Sequence, residues 1–208
     1  LYDRSVDARQ EKTLARLGET ILTLAAASPV GDLSVSRVAD AAGIHRSTFY
    51  EYASSPADLL QRVLRDELDA LRAEYLVGIE PADAASAVGG VTRAVLQHVD
   101  QRDAIYRRGL GTDGAAGLHR MLSEHFQGSV ELLLGQHSVS VPAGDSIEHA
   151  AIARYLADGM IGAIDVWLTR PRPRDVEGFL ALVGRLVPSW WPGGDAVTGP
   201  ERPIAAAP

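Results

Sequence analysis

Residues 35–54 read VSRVADAAGIHRSTFYEYAS, and this stretch constrains the chain more than any other. Two short apolar periodicities stand on either side of Gly43. Helices of that length are not stable alone and must cross over a shared core. A steep crossing demands a small residue at the contact, and Ala39 supplies it. The turn between them demands a residue that tolerates positive φ, and Gly43 follows four positions later. Val38, Ala42, Ile44 and Phe49 then fall at inward positions. His45, Arg46, Ser47, Thr48 and Glu51 are left facing outward, as short polar groups suited to base edges and phosphates.

The flanking sequence is helical in period throughout. Leu14, Leu17, Ile21, Leu24 and Ala25 predict a first helix over about 9–27, ended by Ser28-Pro29 and Gly31. Ser34 is placed to cap a second helix over about 35–41, and a third is expected over about 45–52. Ser55-Pro56-Ala57-Asp58 reads as N-cap, first helical residue and capping-box acid. The helix it opens carries Leu60, Val63, Leu64, Leu68, Leu71 and Tyr75 on one stripe and runs to about Val77. Further helices are expected near 84–100, 102–109, 115–136, 145–170 and 174–187, with Asp145 and Glu148 as a second capping box. The best strand candidate, His137–Val141, is short and ends at Pro142, so the chain reads as all-α.

Composition narrows the chemistry. The 208 residues contain no cysteine, which excludes disulfides, thiolate metal sites and cysteine nucleophiles. The opening LYDRSVDARQEK is charged and lacks a signal-peptide core, and no apolar run approaches bilayer length. The expectation is a cytoplasmic protein with no membrane partner. Net charge is −7, and residues 1–60 hold six Lys/Arg against eight Asp/Glu. A nucleic-acid contact must therefore rest on a few placed groups and not on a basic face.

Ser34, Val38-Ala39, Ala42-Gly43-Ile44, Thr48-Phe49-Tyr50 and Leu59-Leu60 together resemble the head of the TetR family of transcriptional regulators. The resemblance covers about residues 10–65; beyond them it extends only to helix number and order. It implies an all-α chain: a three-helix helix-turn-helix DNA-binding head over 1–54, a helical-bundle ligand-binding and dimerisation body over 55–190, and a disordered tail over 191–208. It assigns DNA contacts to Ser34, Arg37, His45, Arg46, Ser47, Thr48, Tyr50 and Tyr52, although the two tyrosines fit half-buried packing equally well. Three positions depart from the family pattern. Ala53 stands where Phe is usual, Pro56 where Lys is usual, and Ser47 where Gly or Ala is frequent. The loss of a lysine at 56 shifts weight onto Arg46.

The implied partners are a double-stranded operator, a second copy of the chain and an unidentified small-molecule effector, with no cofactor. Gly159, Gly162, Ala163 and Val166, with Phe179, Val183 and Leu186, are the candidate dimer interface; the alternative is intramolecular core. Tyr75, Tyr106, Phe126, Tyr155 and Trp167 are candidate pocket aromatics, each of which also fits plain core. His98 and His125 are weaker pocket candidates, for which a solvated or internally satisfied histidine is the favoured alternative.

Competing motifs are poorly supported by their surroundings. Gly109–Gly114 has dinucleotide-fingerprint spacing but no buried strand before it, so an inter-helix loop is expected. Gly144-Asp-Ser-Ile147 resembles a hydrolase serine turn with no sheet to carry it. No catalytic or metal-ligating set is expected, and the chain does not read as an enzyme. The competing reading is a helical binding or scaffold protein whose degenerate head no longer binds DNA.

Overall fold

The computed structural model describes residues 4–110, 116–136, 139 and 146–194. Among them the fold is all-α, with an N-terminal helix-turn-helix arrangement and a C-terminal helical bundle. The head comprises α1 (Arg4–Ala27), α2 (Val35–Ala42) and α3 (Arg46–Tyr50). The body comprises α4 (Pro56–Leu76), α5 (Ala84–Gln101), α6 (Asp103–Leu110), α7 (Ala116–Gly135), α8 (Ser146–Leu168) and α9 (Val176–Leu186).

Local chemistry sets the head's boundaries. Ser34 is extended and its hydroxyl accepts from the Arg37 N–H at 3.2 Å, so α2 begins where a capping serine stands. Gly43 ends α2 with φ 62° and ψ 41°, in the left-handed region. Its N–H bonds back to Asp40 O at 3.1 Å, and that of Ile44 to Ala39 O at 3.0 Å. The Ser55 hydroxyl caps α4 by accepting from Asp58 N–H at 3.1 Å. The return bond departs from the expected capping box. Asp58 accepts from both the N–H and the hydroxyl of Ser54, each at 2.8 Å, one residue further out. Those bonds hold the Asp58 carboxyl below its ordinary pKa. Pro56 is the first residue of α4 and is buried.

α4 is the shaft of the molecule. It packs on α1 at its head end and on α5 and α7 along the rest, while α7 and α8 share the most extensive contact in the fold. One apolar cluster runs without interruption from Leu17, Ile21, Ala39 and Phe49 in the head through Leu64 and Leu68 of α4 to Leu96, Ile161 and Trp167 in the body. Arg108 of α6 adds a polar tie, donating to Ala25 O at 2.7 Å, where a cation also meets the favourable C-terminal end of α1. A second cluster, with Leu76, Val130, Leu133, Ala153 and Trp191, fills the far end of the bundle.

Several expectations shift. α1 extends five residues earlier than the periodicity predicts, from Arg4. Phe179 is core and not interface: it is buried, with its ring 5.6 Å from that of Trp167. Trp191, assigned by sequence to the loose tail, is buried in the second cluster. The proposed cap at Asp145, the strand candidate apart from Val139, most of the Gly109–Gly114 loop and residues 195–208 lie outside the described residues. Gly109 itself falls within α6.

Candidate nucleic-acid interface and cavity

The outer face of the head is built by subtraction. Val38, Ala39, Ala42 and Phe49 are buried, which fixes the rotation of α2 and α3 about their axes. That rotation leaves Ser34, Arg37, His45, Arg46 and Ser47 exposed, with Thr48 half-buried. His45 is the N-cap residue of α3, so the polar run sits at the first turn of that helix, where backbone N–H groups are also free. The two tyrosines separate. Tyr50 is 60% exposed, with its ring edge-on to Phe49 at 5.9 Å. Tyr52 is half-buried against the core. Ala53 is buried as well. Arg62 of α4 donates to Tyr52 O at 3.0 Å and couples the shaft to the end of α3, a link with no signature in the sequence.

In the body, α4, α5, α7 and α8, with Val187 and Trp191 beyond α9, line a cavity of about 90 Å³. Its wall is apolar, with Leu76, Val95, Phe126, Leu133, Met160 and Trp191 among its residues. Its polar groups are Thr92, His125 and Ser129. Of the five aromatics put forward from sequence, Phe126 stands on this wall. Tyr75 packs against the backbone of Gly90, where an added Cβ would lie 2.9 Å from its ring. Tyr106 is buried and bonded to His98. Trp167 is core beside Phe179. Tyr155 is 73% exposed.

The buried histidines are held in different ways. His98 Nε2 and the Tyr106 hydroxyl share a 2.8 Å hydrogen bond. Glu67 lies 3.7 Å from His98 Nδ1, beyond hydrogen-bond reach, and it already accepts from Arg102 at 2.5 Å. Desolvation therefore dominates, aided by the Arg102 charge, and pushes the His98 imidazole down to about 3. Burial pushes the Tyr106 hydroxyl up. His125 Nδ1 meets Asp69 Oδ1 at 2.9 Å, and the same oxygen accepts from Arg72 at 2.7 Å. Burial and Arg72 lower the His125 pKa against the opposing pull of Asp69. Thr92 and Ser129 were missed by sequence reasoning. Ser129, four residues after His125 on one helix, was the available signal.

The outer surface of the bundle carries an apolar stripe. Tyr155, Gly159, Gly162 and Val166 recur at four-, three- and four-residue steps on α8, and all are exposed. A Cβ at Gly159 or Gly162 would meet nothing within 4 Å. Leu186 of α9 is exposed, whereas Ala163 and Val183 are half-buried against the core. Among the described residues no group of His, Asp and Glu is arranged to hold a metal. No described helix is long and apolar enough to cross a membrane.

An all-α chain with a helix-turn-helix at its N-terminus and a cavity-bearing bundle behind it has the TetR-like fold. Among solved structures it is similar to the dihydroxyacetone kinase operon activator DhaS, at 17% identity and a TM-score of 0.57, covering 84% of this chain and 93% of that one. It is similar to RolR in complex with resorcinol, at 23% identity and a TM-score of 0.53, covering 86% and 89%. It is also similar to Thermus thermophilus FadR, a TetR-family transcriptional repressor in complex with lauroyl-CoA, at 17% identity and a TM-score of 0.59, covering 93% and 100%. At these identities what is shared is the fold. The sequence matches no family model and no curated protein.

Proposed function

We propose that this chain is a ligand-responsive transcriptional regulator of the TetR family, a repressor that binds a palindromic operator as a homodimer. The observation that carries the reading is the exposed run His45, Arg46, Ser47 at the first turn of a short helix whose other side, at Phe49, is fully buried. Side chains so placed can enter a major groove while the core holds the helix rigid. Residues 1–54 act as the head and 55–190 as the body. Arg46 reads a base edge; Ser34, Arg37, Ser47, Thr48 and Tyr50 hold backbone or groove edges. Tyr52 serves the head chiefly by packing.

Two copies pair through the α8 stripe of Gly159, Gly162 and Val166, with Leu186 of α9 at its side. The empty space above both glycines supports a close helix–helix approach. Two recognition helices then meet successive major grooves about 34 Å apart. Effector release follows from α4, which lines the cavity at Leu76 and bonds to the head through Arg62. A ligand that fits the cavity better when α4 is displaced moves the α3 helices out of register by differential affinity alone.

The similar structures carry resorcinol in one case and lauroyl-CoA in another, so fold likeness does not choose the effector. Operator selection from a random DNA pool tests the function. The expected product is an inverted repeat with half-sites about one helical turn apart. Recovery of no sequence preference, with affinity insensitive to salt, would instead favour a scaffold protein with a degenerate head. The excess of acidic over basic residues in the first sixty is the observation that motivates that second reading.

A further inference from the structure

Three polar side chains of the body cavity, Thr92, Ser129 and His125, have their hydrogens already committed. Thr92 Oγ1 donates to Val88 O at 2.7 Å, within α5. Ser129 Oγ donates to His125 O at 3.0 Å, within α7. His125 faces the Asp69 carboxylate with Nδ1 at 2.9 Å, and a carboxylate that also accepts from Arg72 has only lone pairs to offer there. The imidazole proton therefore sits on Nδ1, and Nε2 is left as a lone pair bonded to no described residue. What these three side chains present to an occupant is acceptors. The thioether of Met160 adds another weak acceptor. The indole of Trp191 is an uncharged donor, and no Arg or Lys stands among the described wall residues.

We infer that this cavity selects a small, uncharged, mainly apolar molecule bearing a hydroxyl that donates to His125 Nε2, and that it rejects carboxylates. This rests on the reading of the cavity as the effector site and names the chemistry of the effector. A hydroxyl donor satisfies an acceptor to which no described residue donates, whereas an ether of the same shape leaves it unpaired. A carboxylate would bring its charge among lone pairs with no cation to offset the lost hydration. Size agrees with a single ring. An engineered apolar cavity of about 150 Å³ admits benzene. This one, at about 90 Å³, needs a modest yield of its wall, which the flexible Met160 side chain can provide.

The test is fluorine NMR titration of the full-length protein at neutral pH with 4-fluorophenol, 4-fluoroanisole and 4-fluorobenzoate. The expected result is saturable binding of the phenol, binding of the anisole weaker by about tenfold, and binding of the benzoate weaker by about a hundredfold or more. His125→Phe should bring the phenol down to the level of the anisole and leave the anisole within about threefold. If that variant does not fold, the paired substitution Thr92→Val and Ser129→Ala, which leaves the His125 acceptor in place, should keep the phenol–anisole gap within about threefold of the parent, and a gap that closes there overturns the assignment to His125. Ala157→Phe, filling the cavity from α8, should abolish binding of all the probes. Equal binding of phenol and anisole, or tighter binding of benzoate, overturns the donor requirement and leaves the effector-site reading standing. Binding that survives Ala157→Phe, or no binding of any probe, overturns that reading and the inference with it.

Discussion

At Gly43 the backbone sits at φ 62°, and a Cβ added there would meet nothing within 4 Å. The demand for glycine is therefore conformational and not one of space. Gly43→Ala is expected to cost about 1–2 kcal/mol in urea denaturation, and Gly43→Asn distinctly less, because asparagine tolerates the left-handed region. Arg46 presents the opposite case. It is exposed, and folding gains little from it, so Arg46→Ala should leave stability within about 0.5 kcal/mol of the parent. The same change should weaken binding to the selected operator by roughly 10- to 100-fold in fluorescence anisotropy. Unchanged specific binding would mean that another face of the head reads the DNA. The polar positions of this segment were legible in the sequence because burial of Val38, Ala39 and Phe49 leaves α3 only one orientation. The split between Tyr50 and Tyr52 was not legible, since it depends on the core cluster that packs against Tyr52.

At the scale of the element, the turn from α8 to α9 depends on Arg174. Its side chain is 2% exposed and lies over the Trp167 ring at 5.4 Å. It bonds to Asp100, to Asp103 at 2.6 Å and to Leu168 O at 2.9 Å. One guanidinium thus pins the α8–α9 turn to the α5–α6 junction. Arg174→Leu removes the buried cation that Asp100 and Asp103 share, leaving only Arg172 at 3.2 Å from Asp100 and Arg107 at 4.0 Å from Asp103, and should cost about 2–3 kcal/mol in chemical denaturation. The element limits themselves followed from sequence. All eight described helix starts after α1 fall within two residues of the predicted position. Such boundaries depend on contacts three or four residues apart, which a linear reading can see. The interaction of Asp58 with Ser54 in place of Ser55 shows the limit. Either donor lies within its reach, and the extended path of the chain into α4 chooses between them.

For the whole molecule, buried histidine makes stability depend on pH. His98 titrates near 6.5 when unfolded and is held down to about 3 in the fold. Between those values the unfolded chain binds the proton that the native protein refuses, so stability falls as pH is lowered through that window and is full above it. Denaturation at pH 5 against pH 7.5 should show a loss of about 2 kcal/mol from this group, and His98→Gln should shrink the difference. Quaternary structure gives the second prediction at this scale. Gly162→Glu puts a charge into the α8 stripe without touching the monomer core. It should yield monomers by light scattering and lower operator affinity by at least about tenfold, with the melting profile of the head preserved. A variant that stayed dimeric would place the pairing surface elsewhere.

From the chain alone, the helix count, the caps at Ser34 and Ser55 and the turn at Gly43 could be derived, because each answers to groups within a turn or two of itself. The exposed run at 45–47 follows from them. Tertiary structure alone decided the fate of the aromatics. Tyr75, Tyr106, Phe126 and Trp167 are alike in sequence, one apolar ring each on a helical stripe. Which of them meets open space depends on where α5, α7 and α8 happen to leave a gap. The committed hydrogens of His125, Ser129 and Thr92 belong to the same class. Two of those bonds stay within their own helices, but the one to Asp69 spans 56 residues and fixes the imidazole only once α4 and α7 have packed.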